Sequence, residues 1–188
     1  MNNIKIGYQG IKYSNSFFIA KQFVKENGIK DYKFIPLTNS ANVYNNLIEE
    51  KINYGIMAIY NTIGGEVIET KEVLKNNKLL MVHKYDRKIK HCLFKKSKDI
   101  EIICIASHIQ ALKQTKNVRT QIYPNLKELI VEDTALAAQQ LKEGILDEKI
   151  GIICTKEAGI NNGLFLVCEN FQDMKENITT FGVFEKIR

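Results

Sequence analysis

Residues 100–114, IEIICIASHIQALKQ, join a strand directly to a helix. The mainly apolar run from Ile100 to Ala106 predicts a buried strand, and Ser107 and His108 then open a helix with apolar residues at helical spacing. Buried strands that lead straight into helices are typical of an α/β sheet. This stretch therefore predicts an α/β fold, and the same alternation runs through the rest of the chain.

The amino-terminal part of the chain follows the order βαβαβα. Strands are predicted at residues 4–8, 33–37 and 54–59, and helices at residues 14–25, 40–51 and 67–75. Ser14 or Ser16 is predicted as the N-cap of the first helix, because a serine oxygen can accept a hydrogen bond from the first turn. This order of elements indicates an open α/β sheet.

The remaining part of the chain continues the alternation. Strands are predicted at residues 79–83, 88–94, 100–106, 120–123, 150–154, 164–167 and 180–184, and helices after residue 107 and at residues 125–129, 133–141 and 156–161. Ligands of open α/β sheets bind beyond the carboxyl ends of the strands. Candidate binding groups therefore lie in four polar junctions, at residues 9–16, 61–65, 107–114 and 133–138.

Composition excludes several classes of protein. The chain has 188 residues, of which 45% are hydrophobic, enough for one large domain or two small lobes. No apolar run approaches the roughly 20 residues that span a bilayer, and the amino terminus lacks the apolar region of a signal peptide. We therefore expect no membrane partner and a cytoplasmic location. The formal charge of +6 comes from scattered lysines, so no nucleic-acid partner is expected.

A metal site is not expected either. The four cysteines lie at least 12 residues apart, and the chain has only three histidines. No CxxC pair occurs, and reduced cysteines in apolar stretches behave as small hydrophobes. The cysteines are therefore predicted to be buried structural thiols.

Four segments, in this order, resemble the catalytic domain of prephenate dehydratase. They are YGIMAIYNTIGGEV at 54–67, IASHIQALKQ at 105–114, EDTALAA at 132–138 and TKEAGINNGLFLVCENFQDMKENITTF at 155–181. The opening IGYQGIKYSNS at 6–16 is a weaker version of the family's opening motif. The resemblance covers nearly the whole chain and corresponds to a stand-alone catalytic unit without the C-terminal ACT regulatory domain. Feedback inhibition through that domain is therefore not expected.

The resemblance implies a two-lobed α/β fold like that of periplasmic binding proteins, with the active site in the cleft between the lobes. Lobe 1 is expected to comprise about residues 1–76 and 166–188, and lobe 2 about residues 77–165. The implied reaction converts prephenate, a small anionic molecule, to phenylpyruvate with loss of carbon dioxide and water. It requires no cofactor and no metal. A homodimer is also implied.

The resemblance also implies roles for particular residues. The residues that match catalytic positions of the family are Thr179, Asn61, Ser107 and Gln114, and those expected to bind substrate are Ser16, Thr62, Thr134, Ala135 and Phe181. Thr179 is the candidate to hydrogen-bond or protonate the departing hydroxyl. The histidines at 91 and 108 are predicted to be structural.

Two charged positions of the family motifs are changed. Tyr60 stands where the family has Glu, and Thr180 stands where it has Arg. If those two positions face each other, losing both charges avoids an unpaired buried charge. The substrate carboxylates would then need Lys12, a lysine of the other lobe, or helix N-termini. Two alternatives stay open: a decarboxylase-like relative that leaves the ring non-aromatic, and a non-catalytic module that binds a small molecule.

Overall fold

The computed structural model describes residues 3–187, which form two units. The first unit runs to Lys88 and resumes at Ile178, and the second unit is Ile89–Asn177. Each unit has its own sheet, in which some strands are parallel and joined through helices. The predicted α/β class is therefore confirmed. Within the described residues, no helix has both the length and the apolar character needed to cross a membrane.

The first unit is built on a sheet of six strands. Its elements are β1 (Ile4–Tyr8), α1 (Asn15–Glu26), β2 (Tyr32–Pro36), α2 (Ser40–Ile48), β3 (Tyr54–Asn61), β4 (Gly65–Glu66), α3 (Ile68–Leu74), β5 (Leu79–Lys88) and β11 (Ile178–Lys186). The strand order is β2-β1-β3-β11-β5, and β4 pairs with β3. β1 is parallel to β2 and β3, whereas β11 is antiparallel to both β3 and β5.

Local sequence explains where the helices of this unit begin and how they pack. The side chain of Ser14 accepts a hydrogen bond from the N–H of Phe17 and is the N-cap of α1, which selects one of the two predicted serines. Val43 and Leu47 of α2 pack into a buried cluster against β3. A side chain at Gly55 would collide with both of them, so glycine lets the helix lie close to the sheet.

The second unit is built on a sheet of five strands. Its elements are β6 (Cys92–Lys95), β7 (Cys104–Ser107), α4 (Ile109–Gln114), α5 (Lys116–Ile122), β8 (Lys127–Ile130), α6 (Thr134–Glu143), β9 (Ile150–Cys154), α7 (Lys156–Asn161) and β10 (Phe165–Cys168). The strand order is β10-β6-β9-β7-β8. β7 is parallel to β8 and β9, while β6 is antiparallel to β9 and β10.

The predicted element types are exchanged over residues 120–129. The strand predicted at 120–123 belongs largely to helix α5, and the helix predicted at 125–129 is largely strand β8. Arg119 joins helix α5 to its neighbours. Its guanidinium donates to the Leu112 carbonyl of α4 at 2.9 Å and to Glu128 of β8 at 2.7 Å. β8 pairs with β7 at the sheet edge, so tertiary pairing overrides the local helix propensity of its residues.

The two units divide the chain differently from the expected lobes. Residues 77–88 belong to the first unit because β5 pairs with β11 along its length. Residues 166–177 belong to the second unit, in which β10 pairs with β6 and Phe171 is buried in the core.

Candidate functional site

Asn61 and Thr179 form a buried polar pair in the first unit. They are register partners at the end of β3 and near the start of β11, and the Asn61 Nδ2 group donates to the Thr179 Oγ at 2.9 Å. Asn61 Oδ1 accepts from the N–H groups of Ile63 and Gly64, at 2.9 and 2.8 Å. The turn after β3 therefore fixes the amide, and the amide fixes the threonine.

This bond sets the direction of the threonine hydroxyl. The Thr179 oxygen accepts from Asn61, so its own hydrogen must point away from the amide. Only 8% of Thr179 and 3% of Asn61 is accessible to solvent. The pair therefore presents one oriented O–H donor in a setting with little water, where hydrogen bonds are electrostatically stronger than in bulk solvent.

Three other predicted site residues of this unit make structural contacts or are buried. Thr62 joins the turn to β11: its N–H donates to the Ile178 carbonyl at 2.9 Å, and its Oγ accepts from the Ile178 N–H at 3.0 Å. Phe181 is 2% exposed and lies in the core. Ser16 is buried in the first turn of α1, two residues after the N-cap. Thr62 holds the turn carrying Asn61 against the strand carrying Thr179.

In the second unit, Gln114 joins a buried network. Its Oε1 lies 2.7 Å from the His91 Nε2 and accepts from the Asn177 Nδ2 at 2.7 Å. Because an amide oxygen only accepts, the His91 Nε2 must carry a hydrogen. Burial lowers the pKa of His91, against a smaller opposing effect of the Gln114 bond. The ring is therefore neutral at pH 7, as expected of a structural histidine.

Ser107 is a buried residue of the same unit that makes a structural hydrogen bond. Its side chain is inaccessible, and its hydroxyl donates to the Ile153 carbonyl at 2.6 Å, which ties β7 to β9. With its hydrogen used in this way, Ser107 can act on another group only as an acceptor.

The junction before α6 places Thr134 and Ala135 in the first turn of that helix. Asp133 is the N-cap, and its carboxylate accepts from the Leu136 N–H at 2.7 Å. Ala135 is buried in the core, so it can offer only backbone groups to a ligand. Asp133, and not Thr134, is therefore the residue that caps this helix.

His108 is the N-cap of α4. Its Nδ1 accepts from the Gln110 N–H at 3.3 Å, and burial lowers its pKa. These contacts support the predicted structural role.

The two changed family positions face each other on adjacent strands. Tyr60 and Thr180 are register partners, so Glu and Arg side chains at these positions could bridge. Thr180 instead donates its hydroxyl to Asp86 at 2.6 Å. Side chains alternate along a strand, so Thr180 lies on the opposite face of the sheet from Thr179. The lost Arg therefore does not belong to the face that carries the Asn61–Thr179 pair.

Arg87 is a residue of this site that sequence reasoning missed. It is the register partner of Thr179 on β5, and its Nε donates to the Asn15 Oδ1 at 3.0 Å. Its guanidinium carbon lies 4.6 Å from the centre of the Phe18 ring. The predicted strands ended at residue 83 and resumed at residue 88, which left Arg87 between elements. A prediction of one continuous strand over residues 79–88 would have included Arg87.

Candidate metal ligands are dispersed. Among residues 3–187, no three or more His, Cys, Asp or Glu side chains are grouped as a metal site requires. The four cysteines are free thiols, of which Cys92 and Cys154 are buried. Burial raises the pKa of the Cys154 thiol well above its ordinary value, so this thiol is protonated and unreactive.

The fold and the polar groups at its strand ends define a class of protein, the two-sheet α/β proteins. A periplasmic substrate-binding protein of an ABC transporter from Coxiella burnetii shares the fold, with a TM-score of 0.54 and 11% identity over 97% of this chain and 84% of that chain. A prephenate dehydratase from Arthrobacter aurescens, solved in complex with L-Phe, has a TM-score of 0.78 and 19% identity over 98% of this chain and 61% of that chain.

The chain belongs to the prephenate dehydratase family, whose model matches residues 6–187. A curated relative, the prephenate dehydratase of Lactococcus lactis, is 28% identical over 97% of this chain and 64% of its own length. This chain spans between 34% and 64% of the length of the first curated relatives it matches. The family resemblance expected from the motifs is confirmed.

Proposed function

We propose that this chain converts prephenate to phenylpyruvate. The substrate dianion takes up one proton, the bond from the ring to its carboxylate breaks, and the bond from the opposite ring carbon to its hydroxyl breaks. The products are the phenylpyruvate anion, carbon dioxide and water. The single observation that carries the proposal is the Asn61–Thr179 pair, with its hydroxyl hydrogen directed away from the amide.

This reaction requires mainly that the substrate is held in position and that one hydrogen-bond donor contacts the departing hydroxyl. Aromatisation of the ring supplies the driving force, and the departing hydroxyl gathers negative charge as its bond breaks. An oriented O–H donor with little surrounding water stabilises that charge, and such a donor is effective because it needs no reorientation during the reaction. We assign this role to Thr179, with Asn61 as the residue that positions it.

The other candidates receive supporting roles. Gln114 is assigned to substrate orientation, because its oxygen is held by two donors and its amide nitrogen is therefore directed elsewhere. Thr62 is assigned to holding the turn that carries Asn61. The remaining proposed contacts are Ser107 as an acceptor, and Ser16, Thr134, Ala135 and Phe181 as groups that line or shape the binding site.

Incubation of the purified chain with prephenate at neutral pH tests the proposal. We expect phenylpyruvate and carbon dioxide in equal amounts, identified by nuclear magnetic resonance and by trapping of the gas. Thr179→Val keeps the shape of the side chain but removes the hydroxyl, and its turnover should fall at least about 100-fold, as for loss of one oriented donor.

Other products would contradict the proposal in distinct ways. A non-aromatic product would indicate decarboxylase-like chemistry. Binding of prephenate without turnover would indicate a binding module. No reaction at all, while an authentic dehydratase converts the same sample, would exclude the activity.

We also propose that the protein is a cytoplasmic homodimer. The free thiols are typical of proteins in a reducing compartment. Leu129 and Ile130, on the edge strand β8, are exposed, and a second copy would remove them from water. Sedimentation equilibrium of the purified chain should give twice the chain mass of 21.6 kDa, and a mass of one chain would contradict the dimer.

A further inference from the structure

We propose that Arg87 binds the carboxylate of the substrate that survives into the product. The inference rests on the proposed function and deepens it. It replaces the expected groups, which were Lys12, a lysine of the other lobe or helix N-termini, with a residue of the sheet beside Thr179.

The sheet register places Arg87 on the correct face. Thr179 is paired with Asn61 on one side and with Arg87 on the other. Directly opposed residues of antiparallel strands point to the same face of the sheet, with Cβ atoms about 4.5–5.5 Å apart. The hydrogen-bonded Asn61–Thr179 pair and the Arg87 side chain therefore leave the sheet side by side.

Asn15 and Phe18 both contact the guanidinium. The Asn15 side chain accepts a hydrogen bond from the Arg87 Nε, and the Phe18 ring packs against the face of the guanidinium, near its Cζ. Both residues belong to the first turn of α1, whose amino end favours an anion. A guanidinium held on one edge and one face loses little conformational freedom when it binds a ligand, and its fork matches a carboxylate in two parallel hydrogen bonds.

The position of the family's Arg and the side chain of Lys12 are less well placed. Thr180, at the position of the family's Arg, lies on the other face and bonds Asp86. Lys12 is an exposed side chain whose ammonium lies 5.0 Å from the centre of the Tyr13 ring. A flexible ammonium is a point charge with no fork geometry, so it orients a planar carboxylate less well than an arginine does.

The reaction chemistry decides which carboxylate Arg87 binds. Prephenate carries one carboxylate on the ring, which leaves as carbon dioxide, and one on the side chain, which remains in phenylpyruvate. An ion pair with the leaving carboxylate would stabilise the ground state more than the transition state, since that charge disappears as the bond breaks, and would slow the reaction. Arg87 therefore binds the side-chain carboxylate.

Three variants test the assignment, with phenylpyruvate as the probe because it retains the relevant carboxylate. Arg87→Gln should weaken phenylpyruvate binding about 10- to 100-fold, as for loss of a charge-assisted hydrogen-bonded pair. Arg87→Lys should lie between this variant and wild type, since it keeps the charge but loses the fork. Lys84→Gln removes the same charge from the same strand on the opposite face, beside Gly182, and should bind as wild type does.

Steady-state kinetics gives a second readout that a purely structural role would not reproduce. The KM for prephenate should rise about as much as the dissociation constant of phenylpyruvate, while kcat changes by less than about threefold, as for loss of uniform binding. Thermal unfolding of each variant shows whether it is folded, and Arg87→Lys carries the test if Arg87→Gln does not fold.

Two results would overturn the assignment. One is unchanged phenylpyruvate affinity and KM in folded Arg87 variants of an active protein. The other is an equal loss in Lys84→Gln, which would show a general charge effect. If wild type neither converts prephenate nor binds phenylpyruvate, the proposed function itself is wrong, so the two failures are distinguishable.

Discussion

The orientation of one hydrogen atom at Thr179 is the central feature at the residue scale. The Asn61 amide donates to the threonine, and the amide is itself held by two backbone N–H groups of the following turn. These bonds couple the threonine to a strand end and a turn. The oriented donor follows from three hydrogen bonds of the Asn61 side chain.

Asn61→Ala should reduce both stability and turnover. The N–H groups of Ile63 and Gly64 lose their acceptor, so the free energy of unfolding should fall by about 1–3 kcal/mol. The Thr179 hydroxyl also loses its fixed direction, so kcat should fall while phenylpyruvate binding changes less. Urea unfolding and steady-state kinetics of the same preparation measure the two effects.

Asn27→Ala is the matched control for that variant. Its Nδ2 group donates to the Phe23 carbonyl at the end of α1, at 2.9 Å. The change should lower stability and leave kcat unaltered. A wild-type kcat in Asn61→Ala would remove Asn61 from its positioning role.

Motifs predicted the members of the Asn61–Thr179 pair, but not their geometry. Both residues follow from the segments at 54–67 and 155–181 that resemble the family. The hydroxyl direction depends on the β3–β11 register, and Arg87 depends on the β5–β11 register. The register between strands that are distant in sequence is set by tertiary packing. It could therefore not be predicted from this single sequence.

At the element scale, side chains alternate between the two faces of a sheet along each strand. This alternation decides which substituted motif positions lie on the face of the Asn61–Thr179 pair. Thr179 and Thr180 are neighbours in sequence, yet they belong to opposite faces of β11. Because Glu and Arg are absent from positions 60 and 180, the substrate carboxylates were expected to need another binding group. Their register shows a cross-strand pair on the other face, where Thr180 now bonds Asp86.

Helix α7 depends on a close approach between a glycine and a ring. A side chain at Gly159 would overlap the ring of Phe94, which is fully buried on β6. Gly159→Ala should therefore destabilise the protein by about 1–3 kcal/mol through overpacking. The gain of roughly 1 kcal/mol in helix propensity from glycine to alanine offsets part of this cost, so a net loss of up to about 2 kcal/mol is expected.

Urea unfolding of Gly159→Ala and Ile160→Ala checks this packing. Ile160 is the next residue of the same helix and is 54% exposed, so its truncation should change stability little. Equal stabilities of Gly159→Ala and wild type would show that α7 can move away from the sheet.

Residues 120–129 show the limit of prediction from local pattern. TQIY is rich in β-branched and aromatic residues, which favour strands, and NLKEL has good helix formers, yet the two segments adopt the opposite structures. The bonds of Arg119 and the pairing of β8 with β7 decide the outcome. The alternation of elements elsewhere was predictable, because buried strands and amphipathic helices there agree with their tertiary setting.

At the scale of the whole molecule, His91, which is buried, and His108, which is half-buried, make stability depend on pH. Burial lowers the pKa of His91 and of His108 below the ordinary value of 6.5. Above that value both residues are neutral in the folded and the unfolded states, so they contribute no pH dependence. Below it the unfolded chain takes up protons that the folded protein does not, so stability falls as the pH falls.

Urea unfolding at about pH 7 and about pH 5.5 measures this effect. Each histidine contributes a loss of up to about 1.4 kcal/mol per pH unit in the window below its unfolded pKa. His91→Gln should reduce the slope, because it removes one of the two titrating groups. A free energy of unfolding that stays constant or rises between these pH values would contradict the lowered pKa values of the two histidines.

Conversion of prephenate by the purified chain tests the central claim most directly. One sample with wild type and one with Thr179→Val are followed by nuclear magnetic resonance at neutral pH. We predict that wild type forms phenylpyruvate, that each product molecule accompanies one molecule of carbon dioxide, and that Thr179→Val slows this by at least about 100-fold. Equal rates in the two samples, or a wild type that leaves prephenate intact, would contradict the claim.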